Sequence, residues 1–218
     1  MHAPRLAWRR TRRTSPARFR LLAPLWSFAM HALLVPLWHS LGAQVPATTL
    51  KSADLWFDAK ASLGPFRGIT HQAKGETAAA ASLTGVHGFV EMEATTLTTS
   101  NGMRDRDMRK TLDVDVYPRI RFELDSVAVR SQAPDSAVIE LVGRMSIHGV
   151  TRMIRIPANL RRRQDEIRVS GSYELFLPDY GVTKLKRMLG VLSMDPTIRV
   201  GFDVTFSGAR TGAEDRLQ

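Results

Sequence analysis

The stretch Gly143-Arg144-Met145-Ser146-Ile147-His148-Gly149-Val150-Thr151-Arg152-Met153-Ile154-Arg155-Ile156 decides the fold. Apolar side chains recur at every second position on both sides of the quartet His148-Gly149-Val150-Thr151, which predicts two β-strands joined by a tight turn. Gly149 is the pivot, because glycine takes a positive φ without a Cβ penalty, and the β-branched Val150 and Thr151 suit the outgoing strand. His148 reads as a turn residue. With no carboxylate or second histidine beside it in the sequence, it makes a poor start for catalysis or metal binding.

Working outward, the same alternation recurs along most of the chain. Leu55, Phe57, Ala59 and Ala61 share one face of a first strand. A second strand runs from Phe66 to Glu76 and carries Gly68 and Gly75, each a candidate bend or bulge. Val86 to Thr98 sets Val90, Met92 and Ala94 against Phe89, Glu91 and Glu93. Ile120, Phe122 and Leu124 alternate, then Val127 and Val129 change parity, which predicts a bulge near Ser126. Ile139, Leu141, Met145 and Ile147 share a face, as do Ile154, Ile156, Ala158 and Leu160. Ile167, Val169, Tyr173, Leu175 and Leu177 form another strand, and Ile198, Val200, Phe202, Val204 and Phe206 the last. The count is eight.

A short helix is predicted over 104–112, with Met108 and Leu112 on its inner face and the charges of Arg104-Asp105-Arg106-Asp107 and Arg109-Lys110 on its solvated side. Each strand has one apolar and one polar face. The expected class is therefore all-β, with eight antiparallel strands closed into a barrel; a two-sheet sandwich satisfies the same alternation.

The chain has 218 residues, 44% hydrophobic and 24% charged, with a net charge of +10. The charge is uneven. Arg5, Arg9, Arg10, Arg12, Arg13, Arg18 and Arg20 precede residue 43 with no acidic residue among them, which leaves 24 cationic against 21 acidic residues elsewhere. No polyanion-binding face is needed to explain the balance. The Arg-rich start and the apolar run from Leu21 to Val35 predict a signal peptide over 1–43, cleaved near 42–47; a retained amphipathic anchor is the alternative. Residues 44–53 read as a linker, 54–207 as the domain and 208–218 as a disordered tail. The chain has no cysteine. Disulfides, thiol chemistry and lipid attachment at an N-terminal cysteine are excluded.

Three motifs resemble the YceI-like family of exported bacterial proteins, over roughly 54–207. They are Asn101-Gly102-Met103-Arg104-Asp105-Arg106-Asp107-Met108 with Tyr117-Pro118-Arg119-Ile120-Arg121-Phe122; Gly143 to Thr151; and Asp179-Tyr180-Gly181-Val182 with the last strand. The resemblance implies an extended lipocalin-like barrel around a long isoprenoid chain, working in the periplasm or secreted. The chain departs from the family at the short Gly64-Pro65 connection before Phe66, at the expected ligand entrance.

On this reading the tunnel is lined by Phe57, Met92, Phe122, Leu124, Ile139, Leu141, Met145, Tyr173, Leu175, Phe202, Val204 and Phe206. From the alternation alone these residues form equally well a filled core. The connection from Pro178 to Pro196 offers Lys184, Lys186 and Arg187 for a headgroup, and Met188 and Leu189 for its tail. His71, His87 and His148 have no ligand spacing and no adjoining nucleophile, so no catalytic residue, metal site or cofactor is expected beyond a bound isoprenoid or lipid. The expected function is non-catalytic binding or transport of a polyisoprenoid or fatty-acid-like ligand outside the cytoplasm. The alternative is a structural or stress-linked interaction module with a closed core. No nucleic-acid partner and no membrane span in the mature form are expected, and a homodimer is left open.

Overall fold

A computed structural model describes residues 44–183, 186–187 and 192–208. Residues 1–43, expected to be a signal peptide, therefore lie outside the described residues, as do Lys184, Met188 and Leu189. Among the described residues, eleven strands and one α-helix follow in order. They are β1 (Thr48–Ala61), β2 (Gly64–Thr70), β3 (Lys74–Thr77), β4 (Gly88–Glu93), α1 (Gly102–Thr111), β5 (Arg119–Ala133), β6 (Ser136–Ile147), β7 (Val150–Arg163), β8 (Glu166–Phe176), β9 (Lys186–Arg187), β10 (Leu192–Ser193) and β11 (Thr197–Gly208).

Antiparallel pairing runs from β11 through β8, β7, β6, β5, β4 and β3 to β1, and β1 pairs back onto β11. β2 and β3 face β1 in one register, interrupted over residues 71–75, so together they occupy one place in the ring. The result is an eight-stranded antiparallel barrel. Because hydrogen bonding continues around the whole circle, the apolar faces meet inside and the sandwich arrangement is excluded.

The stretch that sets the fold behaves as its residues require. Ile147 faces Val150 across a two-residue loop in which His148 has φ 51° and Gly149 φ 75°. Two successive positive φ angles define the turn whose twist matches the flanking strands. A Cβ on Gly149 would also lie 2.5 Å from Cε1 of Tyr117.

Several boundaries differ from the sequence reading. The barrel begins at Thr48, inside the expected linker, and its register shifts between Leu50 and Ser52. The extra residue inverts the alternation upstream, and reading backward from Leu55 therefore loses the strand. The bulge expected near Ser126 falls at Asp125, and a second occurs at Arg130. Gly68 and Gly75 are not bulges. A Cβ on Gly68 would lie 2.1 Å from Cε1 of Phe57, so this glycine makes room for an aromatic ring. The expected strand 86–98 stops at Glu93, where Ala94–Thr96 form a one-turn 3-10 helix.

Helix α1 starts two residues earlier than expected because the Asn101 side chain caps it, Oδ1 accepting from Met103 N at 3.1 Å and Arg104 N at 3.0 Å. Its charges are not all solvated. Asp105 is only 8% exposed: Oδ1 accepts from Thr99 N at 2.8 Å and Thr99 Oγ1 at 2.6 Å, and Oδ2 from Thr98 Oγ1 at 2.9 Å. Burial alone would raise its carboxyl pKa, but the hydrogen bonds from Thr99 and Thr98 outweigh that and hold it below the usual carboxylate value.

Candidate functional site

The inner faces enclose a cavity of about 560 Å³. All twelve tunnel candidates line it: Phe57 from β1, Met92 from β4, Phe122 and Leu124 from β5, Ile139, Leu141 and Met145 from β6, Tyr173 and Leu175 from β8, and Phe202, Val204 and Phe206 from β11. The barrel interior is thus not filled by its own side chains. Its size falls in the ordinary range of small-molecule sites.

Of the hydroxyls that line the cavity, Thr48 Oγ1 and Thr77 Oγ1 lie 2.7 Å apart and Ser62 Oγ and Ser193 Oγ 3.1 Å apart; Tyr173 and Thr111 also contribute. The wall is otherwise mainly apolar, so it favours hydrocarbon.

At one end the rim is built by the β1–β2 turn and α1. Leu63, Phe66, Met103, Arg104, Asp107 and Met108 all line the cavity there. Phe66 meets Phe57 edge-on, with ring centroids 6.0 Å apart, and the Arg104 guanidinium lies 4.4 Å from the centroid of the Phe66 ring. Sequence reading placed cations for a headgroup at Lys184, Lys186 and Arg187 instead. Of these, Lys186 and Arg187 belong to the short β9 strand, which pairs with β10, while the backbone N–H of Ser62 donates to Ser193 O at 2.9 Å. The β9–β10 hairpin therefore adjoins the rim. Arg104 was missed because its stacking partner is 38 positions away and on a different element.

The His148 turn sits beside the same helix. Nε2 lies 3.2 Å from Asp113 Oδ2, and Nδ1 lies 3.2 Å from the Tyr180 carbonyl oxygen. The Tyr117 ring packs at 4.7 Å, centroid to centroid. A carboxylate does neighbour His148, supplied by the loop after α1. The arrangement ties together three connections: residues 112–118, the β6–β7 turn and the 3-10 turn Leu177–Tyr180. This is a structural clamp. Leu112, Ile147 and Leu177, each adjacent in sequence to a clamped residue or part of a clamped turn, contribute to the cavity wall.

On the outside of β4, Glu91 is 5% exposed beneath three cations: Lys74 Nζ at 3.1 Å, Arg121 Nη1 at 3.1 Å and Arg119 Nη1 at 3.8 Å. Burial would raise its pKa, and hydrogen bonds from Lys74 and Arg121 reverse that. The Arg121 guanidinium also lies 3.9 Å from the Phe89 ring centroid. Glu91, Lys74, Arg119 and Arg121 brace the wall without lining the cavity, whereas Phe89 lines it. Among the described residues, no group of three or more histidines and carboxylates could hold a metal ion, and no helix is long and apolar enough to cross a membrane.

Comparison with known proteins agrees with this geometry. The family model of the YceI-like domain matches residues 48–206. The structure of a polyisoprenoid binding domain from Saccharophagus degradans superposes with a TM-score of 0.63 at 16% identity, covering 76% of this chain and 100% of that one. BcnA of Burkholderia cenocepacia gives 0.60 at 11% identity, covering 70% and 95%. A mutant Campylobacter jejuni YCEI protein gives 0.53 at 14% identity, covering 65% and 84%. No curated protein sequence matches. At these identities the superpositions speak to fold.

Proposed function

The chain belongs to the YceI-like family, and from that premise we propose that it binds and carries a long apolar ligand, a polyisoprenoid or fatty-acid-like lipid, without catalysing a reaction on it. The observation that carries the proposal is the cavity of about 560 Å³ with a predominantly apolar wall. Each Å² of hydrocarbon removed from water is worth about 25 cal/mol, so a chain threaded through such a space gains most of its affinity from the tail. An exposed ion pair at the rim adds about 1 kcal/mol or less. The Saccharophagus degradans domain, described as polyisoprenoid binding, has the same fold and supports the isoprenoid class.

The carrier works outside the cytoplasm, in the periplasm or secreted, after removal of the Arg-rich leader; N-terminal sequencing of the exported form should begin between residues 43 and 48. The apolar cavity favours the carrier over a closed-core interaction module. Native mass spectrometry of gently purified protein tests the function directly. A retained lipid mass, or uptake of an added isoprenoid, is expected. A bare mass with no uptake would overturn it.

A further inference from the structure

Leu63 and Met103 are the two most exposed large hydrophobic residues among those described, at 84% and 69%, and both line the rim of the cavity. They come from different elements. Leu63 lies in the β1–β2 turn and Met103 in the first turn of α1, joined through the contact of Arg104 with Phe66. Exposed apolar side chains scattered singly need no explanation, but two at the mouth of an apolar cavity extend its wall outward.

Their surroundings are cationic. Helix α1 carries Arg104, Arg106, Arg109 and Lys110 against Asp105 and Asp107, and Asp105 is turned inward onto Thr98 and Thr99. Arg106, Arg109 and Lys110 are exposed. At 100° per residue Arg106, Lys110 and Asp107 fall on the same side of the helix as Met103, a face with two cations to one carboxylate. Apolar groups that project beside a net positive face fit one partner best: a bilayer surface bearing anionic lipids, into which Leu63 and Met103 dip while Arg106 and Lys110 meet phosphate.

We infer that the rim formed by the β1–β2 turn and α1 docks on an anionic membrane surface, placing the cavity mouth against the bilayer from which the ligand leaves or to which it returns. This rests on the carrier reading above. It adds how a ligand insoluble in water is transferred: it need not cross water between bilayer and cavity.

The test is co-sedimentation of the exported form with vesicles of phosphatidylethanolamine and phosphatidylglycerol, against vesicles of phosphatidylcholine alone. Several-fold more protein should pellet with the anionic vesicles, and raising salt to about 1 M, where the Debye length falls to about 3 Å, should reduce that binding. Leu63→Asp with Met103→Asp should lower the bound fraction at least fivefold, with an unchanged circular dichroism spectrum. Arg106→Glu with Lys110→Glu should do the same while leaving uptake of dansyl-farnesol from solution intact, since neither residue lines the cavity. Equal pelleting with both vesicle types, or double variants that pellet like the parent, would overturn the docking face. If the protein pellets with anionic vesicles as described but takes up no dansyl-farnesol, the docking face stands and the carrier reading falls.

Discussion

Thr48 and Thr77 share a hydrogen bond of 2.7 Å between their hydroxyls where β1 meets β3, the seam that closes the barrel on that side. Only two residue pairs join β1 to β3, against twelve between β6 and β7. This end of the seam is therefore held partly by side chains. Amides of residues 48–50 and 74–77 should exchange with deuterium faster than those of β6 and β7. Thr48→Val strands the Thr77 hydroxyl, and should cost about 1 kcal/mol, or a fall of about 2–4 °C in Tm. Uniform protection around the ring would contradict this.

Asp105 anchors α1 through charged hydrogen bonds, and its folded pKa lies below the ordinary 3.8. A depressed carboxylate pKa contributes stability at pH values above 3.8 and loses it as the pH falls through the folded value. Asp105→Asn should destabilise the protein by about 1–3 kcal/mol at neutral pH. It should also flatten the decline in Tm below pH 4. An unchanged acid limb would rule out this anchor.

Tyr180 is 3% exposed and its hydroxyl has no hydrogen-bond partner among the described residues. Burial pushes its pKa up to about 12, with Tyr173 and Asp179 adding to the shift. Because the unfolded chain ionises at its ordinary value of 10.0 and the folded one does not, this residue's contribution is intact below pH 10 and is lost between pH 10 and about 12. Tyr180→Phe removes an unsatisfied polar atom. It should be neutral or stabilising by about 1 kcal/mol, and the alkaline loss of stability, followed by denaturant titration, should diminish.

Residues within one strand were legible because a period of two is local. The turn at His148-Gly149 and the parity change near Ser126 are both written in neighbouring residues, and the structure has them there. What stayed hidden depends on residues far apart in the chain. Nothing near Lys51 announces the bulge that inverts the start of β1. Asp105 reads as a surface charge until Thr98 and Thr99 fold over it, and the carboxylate beside His148 comes from Asp113, across the barrel end. Alternation marks which residues share the inner face of each strand; whether that face encloses space or fills it depends on barrel circumference, which no single strand records.

Leu141 lies midway along β6, opposite Val127 and Ile156, with its side chain on the cavity wall. Leu141→Trp occupies the space without introducing a charge. Retained or added isoprenoid, measured by native mass spectrometry, should fall at least tenfold, equivalent to about 1.4 kcal/mol. Far-ultraviolet circular dichroism should be unchanged. Full retention of lipid by this folded variant would place the ligand elsewhere.

The pairing of Thr48 with Gly208 carries a kinetic consequence. The first and last long strands of the barrel are neighbours, so the ring cannot close until β11 has been synthesised and brought back across the whole domain. Such long-range closure is slow compared with local hairpins such as β6–β7. A chain built this way stays open until its final strand is available, and the whole domain then compacts in one late step.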